Sequence, residues 1–148
     1  MQVCVPDQPL NILLAEDEDT DALFLIQALE GAAVSKTVHH VRDGEQALHF
    51  LRNTGEHQRA PRPHLILLDI NMPKKNGYEV LDEIKADERL KVIPVIVISG
   101  SSDPEDVRKS YRHQAAAYVT KSKCLEGMSS LVSAVDSFWF KQALLPEA

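Results

Sequence analysis

The sequence predicts an α/β fold: a doubly wound, five-stranded parallel sheet with helices on both faces. Two observations carry that reading. Strand-like and helix-like segments alternate from end to end of the 148 residues, the pattern of a parallel sheet joined by crossover helices. Several of the strand segments are continuous apolar runs, HLILL and VIVIS above all, and such runs fit strands covered on both sides.

Asn11 to Ala15 is a short apolar strand, and Ala22 to Leu29 continues with helical spacing. Thr37 to Val41 is β-branched and weakly alternating, while Gln46, Ala47, Leu48, Phe50 and Leu51 suit a second helix. The segment Asn53 to Pro63 has turn-formers and no apolar face, and it is longer than the usual connection of ~2–6 residues. It reads as an exposed loop with a partner-contact role. His64 to Leu68 is the third strand, and Tyr78, Val80, Leu81 and Ile84 give the third helix a buried stripe. Pro94 to Ser99 is the most β-prone stretch, and Asp103-Pro104-Glu105 then opens a helix with a cap and a proline in its first turn. Ala116 to Thr120 is the fifth strand. Leu125, Met128, Leu131, Val132, Val135, Phe138 and Trp139 mark a final helix at 3.6-residue spacing.

Composition narrows the function classes. Sixteen Lys+Arg against 22 Asp+Glu give a formal charge of -6, with 44% hydrophobic residues, an ordinary balance for a soluble domain. A net acidic chain is a poor match to the phosphate backbone, so no nucleic-acid partner is expected. The longest apolar run, Val92 to Ile98, has seven residues and contains Pro94; a membrane span needs about 18. With no basic n-region at the amino terminus, a cytoplasmic protein is expected. Cys4 and Cys124 form no metal or redox motif and are expected to be reduced thiols. The expected organisation is an extension over 1–9, one domain over 10–140 and a tail over 141–148 without an output domain.

In open parallel sheets ligands sit beyond the carboxyl ends of the strands. The first strand is followed by Glu16 and Asp17, the third by Asp69, the fourth ends in Ser99-Gly100, and the fifth is followed by Lys121. Two carboxylate charges 4 Å apart repel by about 4 kcal/mol at an effective dielectric of 20. Three packed together must therefore hold a proton or bind a cation. Oxygen ligands select a hard ion, with Mg²⁺ the natural choice. With such an ion neutralising an incoming phosphoryl group, Asp69 becomes a usable nucleophile toward phosphorus. The Ser99 hydroxyl and Lys121 ammonium can hold the other phosphoryl oxygens, and Gly100 leaves room for the donor.

Four segments, ILLAEDEDTD, LILLDINMPKKNGYEVL, PVIVISGSSD and AAYVTKS, resemble the response-regulator receiver domain of two-component signalling, from about Leu10 to Phe138. The resemblance implies a flavodoxin-like fold with Asp69 as phosphoacceptor from a histidine kinase. It makes Glu16 and Asp17 the acidic pair for Mg²⁺, with the backbone carbonyl of Asn71 completing the protein ligands. Ser99 takes the switch-hydroxyl position, Tyr118 the switch-aromatic position and Lys121 the lysine position. In such domains phosphorylation draws the hydroxyl toward the phosphate and turns the aromatic inward. Two features depart from the pattern: Ser122 stands where a proline in a cis bond usually comes after the lysine, and Gln114-Ala115-Ala116-Ala117 lacks the glycine often found before the fifth strand. A cis bond before serine costs about 3–4 kcal/mol. Lys121-Ser122, the long second loop and the ending SFWFKQALLP resemble more narrowly the small receivers of bacterial phytochrome histidine kinases.

Bland readings account for other residues. Glu18, Asp19 and Asp21 suit the first turn of a helix, where the macrodipole favours acids. His39 and His40 are strand neighbours facing opposite ways, with no ligand spacing. Lys74-Lys75 reads as a solvated loop pair, and Met72 and Met128 as gap fillers. Phe138, Trp139 and Phe140 stand out, because the chain has only four Phe, three Tyr and one Trp. Successive helical residues point about 100° apart, so one inward face cannot take all three. A homodimer or kinase contact there is the expectation. Two other activities compete with the receiver reading. A phosphatase of the haloacid dehalogenase kind needs a second aspartate two residues after the nucleophile, where this chain has Asn71; a phosphorelay intermediate would use the same site to pass phosphate onward.

Overall fold

The computed structural model describes residues 9–31, 35–121, 125–140 and 143–146. Cys4, Cys124, Ser122 and most of the expected amino-terminal extension lie outside the described residues, as does the side chain of Phe140. Five strands form one parallel sheet: β1 (Leu10–Ala15), β2 (Lys36–Val41), β3 (Leu65–Asp69), β4 (Val95–Ser99) and β5 (Ala117–Thr120). Their order is β2-β1-β3-β4-β5, with every pairing parallel. The expected doubly wound sheet is present. Between them run α1 (Asp19–Glu30), α2 (Gly44–Arg52), α3 (Gly77–Ala86), α4 (Pro104–Arg112) and α5 (Leu125–Val135).

Strand alternation builds a core on each face. Ile12 and Leu14 of β1 and Leu65 and Leu67 of β3 pack with Ala22, Leu25 and Leu29 of α1 and with Met128 and Val132 of α5. Their neighbours Leu13, Ala15, Ile66 and Leu68 face the other way and meet Ala47, Leu48 and Leu51 of α2 and Val80, Leu81 and Ile84 of α3. Side chains on successive strand residues point to opposite faces, so a sheet with helices on both sides must be apolar at every position.

Local chemistry sets the helix starts. Asp43 caps α2 by accepting from the Gln46 N–H. Asn76 and Glu79 form a reciprocal capping box on α3. Asp103 accepts from the Glu105 N–H with Pro104 in the first turn of α4, as expected from the sequence. Met72 and Met128 are buried fillers.

Four details differ from the expectations. The Asn53–Pro63 segment is folded on itself: Asn53 is left-handed at φ 56°, its amide donates to the carbonyls of His57 and Ala60, and a short 3₁₀ turn covers Gly55–His57. Ala60 packs against the core, so the loop is anchored rather than wholly exposed. Lys74 and Lys75 are not simply solvated. Lys75 Nζ lies 2.6 Å from Glu83 Oε2, and Lys74, at φ 67°, lies 3.7 Å from Asp43 Oδ2. The glycine missing before β5 has its conformation taken by Gln114, at φ 71°. Finally, α5 ends at Val135 and gives way to a π-helical turn over Asp136–Phe140, whose wider spacing was invisible to a 3.6-residue reading. Within it Trp139 packs on the α1–α5 core, whereas Phe138 is 56% exposed.

Candidate functional site

The site lies at the carboxyl end of the sheet, where β1, β3, β4 and β5 stop side by side. Asp69 is the last residue of the central strand, and its register places it beside Ile98 on β4. Glu16 follows β1, held by its N–H to the Val41 carbonyl at 3.0 Å and by its own carbonyl to His40 Nε2 at 2.8 Å. Lys121 follows β5, and its backbone N–H donates to the Ser99 carbonyl at 2.7 Å. The strand ends thus present the Asp69, Glu16 and Lys121 side chains to one spot.

Glu16, Asp17 and Asp69 each offer a carboxylate oxygen within 4.8 Å of the others. Glu16 and Asp69 are buried and Asp17 is exposed. The Lys121 ammonium lies 2.7 Å from Glu16 Oε1, 3.1 Å from Asp21 Oδ2 and 3.6 Å from Asp69 Oδ2. Burial, and then the adjoining Glu16 carboxylate, push Asp69 up to about 8, against the opposing pull of Lys121 and the Asn71 N–H. Without a cation, the crowding of Asp69 against Glu16 therefore favours a proton on the pair. Burial works against the Lys121 charge as well, but the Glu16 hydrogen bond and the Asp69 and Glu16 charges outweigh it and hold its pKa above the ordinary lysine value.

The cluster fits a hard divalent cation. Its donors are all carboxylate oxygens, and Glu16 Oε2 is buried with no hydrogen-bond partner among the described atoms. An orphaned buried carboxylate oxygen costs free energy that a cation would recover. Asn71 sits two residues beyond Asp69, its N–H donating to Asp69 Oδ1 at 3.4 Å.

The remaining sequence-predicted residues surround this cluster. Ser99 is buried, and its Oγ accepts from the Ser101 N–H at 3.1 Å. Gly100 faces open space; even a β-carbon there would meet nothing within 4 Å. The Tyr118 ring packs on the α2–α3 core and its hydroxyl donates to the Ser101 carbonyl at 2.7 Å. Ser101 therefore touches both Ser99 and Tyr118, and its hydroxyl also donates to Asp106 Oδ2 on α4 at 2.6 Å.

Two contributors went unread in the sequence: Ser101, and Asp21 in its contact with Lys121. Asp21 belongs to the first turn of α1, where the macrodipole already explains an acid, and only its contact with Lys121 reveals more. His39 Nε2 lies 3.0 Å from Asn11 Oδ1, and His40 Nε2 lies 2.8 Å from the Glu16 carbonyl oxygen. The carboxyl-terminal aromatics stand apart from the cluster. A groove of about 430 Å³ runs between β5 and α5, lined by Ile96, Val119, Leu131, Phe138 and Trp139 among others.

Comparison with known proteins gives the same picture. The family model described as the response regulator receiver domain matches residues 12–135. The response regulator Rcp1 of Synechocystis sp. is 41% identical over 140 residues, covering 95% of both chains. A crystal structure of the Mn²⁺-bound form of Rcp1 superposes with a TM-score of 0.87 over 94% of this chain and all of that one. The phosphorylated cyanobacterial phytochrome response regulator RcpA does so with a TM-score of 0.89 at 43% identity, over 95% of this chain and all of that one. With its sheet order, its acidic cluster and these likenesses pointing one way, the chain belongs to the response regulator receiver domain family.

Proposed function

We propose that this chain is a cytoplasmic response regulator that accepts a phosphoryl group on Asp69 from a phytochrome-type histidine kinase and signals by changed protein binding. The observation carrying this reading is the position of Asp69: a buried carboxyl on the central strand end, with Glu16 and Asp17 on one side and Lys121 within 3.6 Å. The likeness to Rcp1 and RcpA over nearly their whole lengths supports the phytochrome link.

Glu16, Asp17, Asp69 and the Asn71 carbonyl would hold Mg²⁺. When bound, the cation supplies charge neutralisation between the acidic cluster and the incoming phosphoryl oxygens. The chain's own residues do the rest. Ionised Asp69 attacks phosphorus, the phosphorus–nitrogen bond to the kinase histidine breaks, and the departing imidazole takes a proton. Lys121 pairs with one phosphoryl oxygen, Ser99 donates to another, and open space at Gly100 admits the donor. Ser99 moves to do so and releases the Ser101 N–H, and Ser101 passes the change to Tyr118 and α4. The chemistry is confined to phosphorylation and hydrolysis of its own aspartate, with no turnover substrate.

The apolar groove beside Phe138 and Trp139 supports a homodimer contact at this face. Sedimentation should show dimers at high concentration; a monomer both with and without a phosphoryl mimic would end that part. The whole reading is tested by a phosphotransfer profile against candidate kinases, a phytochrome-type kinase first. Transfer should give one acid-stable, base-labile adduct that Asp69→Asn abolishes. Sustained hydrolysis of phosphate esters would instead make the chain an enzyme.

A further inference from the structure

We infer that Asp21 is a positioning residue that holds Lys121 back from Asp69 and thereby weakens capture of the phosphoryl group. The inference rests on the proposed phosphoacceptor role of Asp69 and deepens it. Lys121 has one ammonium and three carboxylates around it, and it stands nearer to Asp21, at 3.1 Å, than to Asp69, at 3.6 Å. A phosphoryl group adds strong acceptor oxygens and negative charge at Asp69, and Lys121 must turn to it to form a charge-assisted bond. Whatever it gives up in turning is subtracted from that bond.

The two present partners differ in what they give up. Glu16 is fully buried and belongs to the acidic cluster, so a cation there draws on the same carboxylate. Asp21 lies outside the cluster, on the first turn of α1, with its side chain 25% accessible. It keeps its claim on Lys121 whatever the cluster binds. Its backbone is also anchored by a helix whose Ala22, Leu25 and Leu29 are in the core, so Asp21 can follow the lysine only by a side-chain rotation. A helix start that looks like ordinary dipole compensation is in this geometry a competitor for the lysine.

A partly exposed ion pair is modest, so removing it should tighten phosphoryl capture by roughly 1.5- to fivefold. The test is calorimetric titration of the full chain with beryllofluoride and Mg²⁺, a phosphoryl mimic. Asp21→Asn, nearly isosteric, should bind more tightly than the unaltered chain, and Asp21→Ala should agree in direction. The Asp21→Asn gain should vanish when Lys121→Ala is also present. Equal or weaker binding by both Asp21 variants overturns the inference. So does a gain that survives Lys121→Ala, since that would be simple relief of charge repulsion. Failure of the unaltered chain to bind the mimic, or binding retained in Asp69→Asn, would instead strike at the phosphoacceptor reading, and the inference would fall with it.

Discussion

Gly77 lies against the backbone of Asp69: a β-carbon at position 77 would stand 2.5 Å from the Asp69 carbonyl oxygen and 2.7 Å from Ile70 Cα. The Gly77 N–H donates to the Ile70 carbonyl at 2.7 Å, so the first turn of α3 is seated on the end of β3. The obstacle is backbone, which cannot give way as a flexible side chain would. Gly77→Ala should cost about 1–3 kcal/mol, read by denaturant unfolding, and should lower the yield of Asp69 adduct by shifting the strand end. Full stability together with full phosphorylation would show that the loop absorbs the methyl elsewhere.

The acidic cluster makes stability depend on pH. Asp69 titrates near 8 in the folded chain, against an ordinary value of 3.8. The folded state therefore binds more protons than the unfolded state between those values, and stability falls as pH rises through that window. The contribution is whole below about pH 4 and gone above about pH 8. Without divalent cations Asp69→Asn should remove this decline and leave the variant on the order of 1–3 kcal/mol more stable at pH 8. Added Mg²⁺ should restore the unaltered chain, by more at pH 8 than at pH 5. Thermal unfolding across pH, with and without Mg²⁺, checks both; a flat profile without Mg²⁺ would contradict the protonated cluster.

Gln114 occupies the left-handed region at φ 71°, while its N–H donates to the Tyr111 carbonyl at 2.9 Å. A side chain there carries a steric penalty that glycine avoids. Gln114→Gly should stabilise the chain by about 0.5–1 kcal/mol, net of the added freedom of the unfolded state. A loss of stability in chemical denaturation would mean that the glutamine side chain contributes more than its backbone costs.

Tyr118→Phe keeps the ring packing and deletes the hydroxyl that donates to Ser101. The expected cost is about 0.5–1.5 kcal/mol. Hydrogen exchange should quicken at the Ser101 amide, whose partner is Ser99 Oγ. If exchange there is unaltered, the tyrosine does not hold the loop.

Much of this fold was legible because every interior strand is an apolar run and every long helix carries a periodic stripe. The site was legible for a related reason: parallel strands all end at the same edge and deliver their next residues there. Glu16, Asp17, Asp69, Ser99 and Lys121 could therefore be grouped without coordinates. The residues that escaped had a sufficient local explanation or no local signal. Asp21 satisfied a helix dipole, and its contact with Lys121 spans most of the chain. Gln114 carries no mark of the left-handed backbone that glycine would have announced. The π turn at Asp136–Phe140 comes after a periodicity that a helical reading simply continues.

The order of the strands divides the labour at the site. Asp69 and Ser99 end β3 and β4 and Glu16 follows β1, strands hydrogen-bonded to a neighbour on both sides, whereas Tyr118 lies on β5, a four-residue margin paired only with β4, and Lys121 just after it. Margins open at lower free energy than interiors. A change of charge among the acids thus meets its least resistance at β5, the margin strand that carries Tyr118. In the proposed mechanism the phosphoryl chemistry is anchored in the middle of the sheet, and its effect emerges at the border strand.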